Sequence, residues 1–178
     1  MFLDVGLLIL RVVVGLYLAG HGAQKLFGWF EGPGLEKFTG GMRMMGLRPA
    51  SFWAFLAGIS EFGGGVLTAL GLLSPLGPLG IVAAMIMANV VGHRGKGLWA
   101  AKGGRELPIT NLAAGLTLAF AGLGSYSLDQ ALGIALPEPL TLAGGLILVV
   151  LGVLAALLSR AVKPAQTKPA TQPLGRNS

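Results

Sequence analysis

The sequence predicts an all-α integral membrane protein, a bundle of about five transmembrane helices, and three observations carry that prediction. The chain of 178 residues is 53% hydrophobic and only 11% charged, with a mean hydropathy of +0.74. A soluble domain carries about 25% charged residues, so this chain has too few charges to solvate a globule of its size. Five apolar stretches also reach or approach the roughly 20 residues needed to cross about 30 Å of hydrocarbon as a helix. Finally, 12 of the 13 lysines and arginines fall on one side of a five-span topology.

The first stretch is 5–23. No basic residue precedes it and Arg11 lies inside it. A cleavable signal needs a positive start and an uncharged apolar centre, so a retained helix is expected. A long loop, 22–51, follows. Its Phe27, Trp29 and Phe30, with Trp53 just beyond, suit an aromatic belt at the headgroups. Leu35, Phe38, Met42 and Met45 fall at helical spacing, which predicts a short helix lying on the membrane surface. The second and third stretches, 52–73 and 75–91, are separated by Ser74–Pro75, with Ser74 as N-cap and Pro75 at the first helical position. Pro108 and Pro139 likewise sit near the starts of the stretches 107–123 and 140–159. The polar, proline-bearing segment 163–178 is expected to be disordered.

Lys25, Lys37, Arg43 and Arg48 fall in the first loop. Arg94, Lys96, Lys102 and Arg105 fall in the third, and Arg160, Lys163, Lys168 and Arg176 in the tail. Basic loops stay cytoplasmic. The N-terminus is therefore expected outside and the C-terminus inside. This placement accounts for the net charge of +6 without nucleic acid, and it makes anionic lipid the expected partner of the basic loops. With no cysteine in the chain, disulfides and thiolate-held iron–sulfur clusters are excluded. Two histidines cannot alone complete a four-ligand zinc site, so no metal site is expected.

Charges inside the membrane are costly and tend to be paired or functional. Arg11 and Glu61 are the two that stand out. Ala54, Ala57, Gly58, Gly64, Gly65 and Thr68 share the helical face of Glu61, and all are small, whereas Phe55, Ile59, Phe62, Val66 and Leu70 lie opposite. Small residues let helices approach closely, so Glu61 is expected to point into the bundle. At 1.5 Å per residue, Arg11 lies roughly 9 Å and Glu61 roughly 18 Å from the outer ends of their helices. An Arg11–Glu61 pair, direct or through water, is the expectation, with Asn89 in the same intramembrane polar site. Nearer the cytoplasm, Tyr17, His21 and Gln24 share one face of the first helix. With His93 and Asn111 they are expected to line a polar vestibule. The plainer readings are a pair that only joins two helices and interfacial residues that only bond loops and headgroups. A haem between His21 and His93 is disfavoured, because two histidines are a weak signal. No soluble-enzyme motif survives: Gly63–Gly64–Gly65 lies in an apolar helix, and Gly95–Lys96–Gly97 lacks the spaced glycine and hydroxyl of a phosphate loop.

The stretches LRVVVGLYLAGHGAQKLFGWFEGPGLEKF from Leu10, GISEFGGGVLTALGLLSPLG from Gly58 and GGRELPITNLAAGLTLAFAGLGSYSLD from Gly103 resemble the DoxX family of small bacterial membrane proteins. With the third helix, the resemblance spans roughly residues 5–129. The run GHGAQKLFGWFEGPG and the glutamate-bearing glycine helix are its most specific parts. It implies a four-helix membrane bundle in which Arg11, His21, Lys25 and Glu61 fall in the family's pattern. The chain departs from that pattern by a fifth helix after Asp129. The expected organisation is a DoxX-like bundle over 1–129, an added transmembrane helix over 130–160 and a tail over 161–178. The family's name derives from a subunit of a membrane thiosulfate:quinone oxidoreductase. The resemblance therefore implies a membrane subunit associated with an oxidoreductase, with quinone as candidate cofactor and a soluble or membrane redox partner. A proton-coupled carrier using Glu61, expected to be a homodimer, and a structural docking protein are the alternatives.

Overall fold

The computed structural model describes residues 1–160, and the expected disorder of 163–178 lies outside the described residues. Among the described residues the chain is all helical, with no strand. The helices are α1 (Phe2–Phe27), α2 (Gly34–Met44), α3 (Ala50–Leu70), α4 (Leu76–Met87), α5 (Glu106–Ala121), α6 (Leu128–Leu132) and α7 (Glu138–Leu158). Helix α4 runs on through one π-helical turn, Ala88–Gly92. The chain is a helical membrane protein, and α1, α3 and α7 are long and apolar enough to cross a bilayer.

The apolar segments 76–92 and 106–121 are shorter, about 25 Å each at 1.5 Å per residue. They are the two that approach rather than reach the length of a full span. Packing explains how a short helix is accommodated: α4 touches α3, α5 and α7. Seven of its residues are buried, including Ile81, Val82 and Met85. Protein, rather than lipid, surrounds much of it.

The principal contact is α1 against α3, made antiparallel through glycine. A Cβ at Gly15 would strike the backbone of Gly65 and Ala69, and one at Gly65 would strike Gly15 and Ala19. A Cβ at Gly22 would strike Phe62. In lipid, where apolar surface gains little by leaving the solvent, such close backbone approach is the main source of association. Helices α3 and α4 meet in the same way, through Gly64 against Gly77 and Gly80.

Helix α2 forms where the spacing of Leu35, Phe38, Met42 and Met45 predicts it. Met42 is buried with Leu47, Ala54, Val91 and Ala156, and the other three pack on that cluster. Pro139 lies in the first turn of α7, near its start as expected. Ser74, by contrast, is not the cap of α4. Pro75 occupies the cap position, with no side-chain cap; the Ser74 amide donates to the Asp129 carboxylate at 2.7 Å, and the buried Ser74 hydroxyl has no partner.

Two sets of contacts define the ends of the bundle. At one end, Arg160 Nε at the close of α7 donates to the Met45 carbonyl (3.1 Å), which joins the end of α7 to the end of α2. At the other, Ser125 donates from its amide and hydroxyl to Asp4 Oδ1 (3.1 and 2.7 Å). There Asp129 also accepts from the Leu73 and Ser74 amides. The basic first loop and the basic end of α7 therefore share one end, as the charge pattern requires.

Candidate functional site

Glu61 sits midway along α3 and is buried, 3% exposed. It lies on the face of Ala54, Gly58, Gly64, Gly65 and Thr68, all buried as expected from their size. Its partner is Lys25, in the last turn of α1, whose Nζ donates to Glu61 Oε2. The Lys25 ammonium also stands over the Phe38 ring of α2, 5.5 Å from its centre, a further source of attraction for a cation.

The expected Arg11–Glu61 pair does not form. The register set by Gly15 on Gly65 and Gly22 on Phe62 brings Glu61 beside the last turns of α1 and Arg11 beside the end of α3. Arg11 and Lys25 are about 21 Å apart along α1. The buried Arg11 guanidinium donates instead to the Ala69 carbonyl (3.1 Å) and the Tyr126 carbonyl (2.6 Å). A cation there complements the free carbonyls and negative dipole at a helix C-terminus. The αL glycine that ends α3, Gly71 (φ 69°), leaves the space, since a Cβ there would collide with Arg11. Arg11 is thus a tie at the far end of the bundle, remote from Glu61.

Around the Lys25–Glu61 pair lies a cavity of about 340 Å³ between α1, α4 and α5. Tyr17, His21, His93 and Asn111 line it together with the pair. Four of the five residues expected in a vestibule are therefore brought together, and Glu61 joins them. Tyr17 and His21 meet edge to face, ring centres 4.6 Å apart. His93 closes the π turn, and its Nδ1 lies 3.0 Å from the Ala88 carbonyl. A carbonyl only accepts, so in the neutral ring Nδ1 carries the hydrogen and Nε2 keeps its lone pair. Single π turns in α-helices are frequent at functional sites.

Two expected members stand apart. Gln24 donates to the Phe30 carbonyl at 3.3 Å and holds the loop. Asn89 turns back on its own helix, donating to the Met85 carbonyl at 2.8 Å, and its buried Oδ1 has no partner. Lys25 counts by position as a loop charge, and only the family resemblance set it beside His21 and Glu61. Its place one helical turn beyond His21 is the signal that ties it to the site.

A family model described as DoxX matches residues 6–94, half of the chain. The chain belongs to the DoxX family. No curated protein and no solved structure matches it. The DoxX match holds α1 to the π turn, and with them Tyr17, His21, Lys25, Glu61 and His93. Asn111 on α5 and the whole of α7 lie beyond it. Chemically, the DoxX cavity offers an ammonium, a phenol, two imidazoles and an amide as donors, and a carboxylate and imidazole nitrogens as proton acceptors.

Proposed function

We propose that this DoxX protein is the membrane subunit of a quinone-linked oxidoreductase, and that the Lys25–Glu61 cavity receives the quinone head. The observation that carries the reading is the convergence of Lys25, Glu61, His21, His93 and Tyr17 on one cavity beside membrane-spanning helices. A quinone ring presents two carbonyl oxygens, which accept hydrogen bonds and, on two-electron reduction, two protons. His21 and Asn111 supply donors to hold the ring. Glu61, held at the cavity by Lys25, supplies a carboxylate able to accept and return a proton. Electrons come from a cofactor-bearing partner subunit, because a chain without cysteine provides no thiolate to hold a cluster.

In this reading the N-terminus faces outward from a bacterial plasma membrane and the basic end lies in the cytosol. Anionic lipid and a soluble redox partner meet the protein at that end. Binding of a short-chain benzoquinone to the purified protein in lipid nanodiscs tests the proposal without the partner. Saturable binding is expected. His21→Phe and Asn111→Leu should each weaken it about tenfold, the loss of one hydrogen bond of about 1.4 kcal/mol. Binding that is non-saturable, or equal in all three proteins, contradicts it.

A further inference from the structure

The polar cavity is one of three voids that share wall residues in series. The second, about 180 Å³, lies between α2, α3 and α4 and is lined by Phe38, Met42, Met45 and Val91. It shares Lys25, Ala88 and His93 with the polar cavity. The third is a groove of about 270 Å³ between α3, α4 and α7, walled by Leu56, Leu79, Leu148, Val149 and Val153. It shares Ala57, Ala84 and Met87 with the second. The walls become apolar along the series, from an ion pair to methionine and aromatic rings to aliphatic side chains. The wall residues shared between neighbouring voids include alanines and the flexible side chain of Met87. The outermost groove opens to the membrane side, where Leu148 is 70% exposed.

Resting on the function proposed above, we infer that this series of voids takes an amphiphile whole. The ring of a lipid quinone sits at Lys25–Glu61, its isoprenoid tail threads the methionine-lined chamber, and the tail's end lies in the α7 groove. The added helix thereby gains a role, since it supplies one wall of the tail site. Its glycines suit that role. A Cβ at Gly145 would strike the side chain of Leu79, so this glycine seats α7 on α4. A Cβ at Gly152, which lines the groove, would meet nothing within 4 Å. Gly152 therefore leaves room where no packing contact requires it.

That free space makes Gly152 the place to test the inference. Gly152→Phe places a ring in the groove from a Cβ that meets no protein atom. In nanodiscs, it should weaken binding of a decyl-substituted benzoquinone about tenfold and leave the tailless ring unchanged. As a second measurement, Gly152→Cys gives the chain its sole thiol. A quinone carrying a haloacetyl group at its tail end should alkylate the thiol introduced at position 152, and excess tailless ring should prevent this. A cysteine at position 144, outside the groove, should show no such protection. If the tailless ring binds but Gly152→Phe has no effect on the tailed ligand and labelling at 152 is not competed, the tail route is overturned and the head site stands. If neither quinone binds, both fall.

Discussion

A carboxylate 3% exposed inside a helical bundle is tolerable because an ammonium meets it, and removing one partner should cost far more than removing both. Breaking a buried pair on one side costs about 3–5 kcal/mol, whereas replacing both charges can be neutral. Lys25→Met should therefore lower thermal stability in detergent markedly, and Lys25→Met with Glu61→Gln should recover most of the loss. A double variant as unstable as the single one would show that the lysine acts through packing alone. The inward direction of Glu61 is readable from the sequence, because a helical face of alanine and glycine beside a glutamate is a local pattern. Its partner is not readable that way. Choosing Lys25 over Arg11 requires the register of α1 on α3, and that register depends on which glycines meet which backbone atoms.

At the scale of elements, the glycines divide into those that are contacts and those that are not, and composition alone cannot separate them. Gly22 lies against the Phe62 backbone, whereas a Cβ at Gly20, two residues earlier, meets nothing within 4 Å. Gly22→Val should thus destabilise the protein by about 1–3 kcal/mol through overpacking, and Gly20→Val should have little effect. Comparing their melting temperatures checks this. The segment between α5 and α7 acts in a second way. Asp129 holds the turn between α3 and α4 by accepting from the Leu73 and Ser74 amides at 2.8 and 2.7 Å, while its own amide donates to the Gly71 carbonyl at 3.0 Å. Asp129→Ala removes both acceptors and should cost about 1–3 kcal/mol, seen as faster hydrogen exchange at residues 73 and 74. Unchanged exchange there would contradict the role. These links join residues more than 50 positions apart, so no local signal announces them. The amphipathic α2 is the opposite case: its four apolar residues at helical spacing suffice.

The whole molecule has two unlike ends. One gathers the basic loops, α2, the close of α7 and the mouth of the polar cavity. The other is tied together by Arg11, Asp4 and Asp129. Cysteine substitutions in this cysteine-free chain, read with a membrane-impermeant thiol reagent on intact cells, should leave position 37 unlabelled and label position 125. The reverse pattern would invert the proposed orientation. The five long apolar helices and their order were legible from apolar length, proline and basic residues, and α2 from its spacing, whereas the short α6 and the lengths of α4 and α5 as membrane spans were not. Burial against α3, α5 and α7, rather than hydropathy, lets α4 be short. The site's place in the molecule follows from both: α1 and α3 bring the ion pair, and the π turn after α4 brings His93 against it. Photo-crosslinking with an azido-benzoquinone, followed by mass-spectrometric mapping of the labelled peptide, tests the central claim most directly. Label on the segments carrying Tyr17, His21 and His93, displaced by unmodified quinone, is the predicted result. Label confined to the outward leucines of α7, or label that unmodified quinone leaves in place, would contradict it.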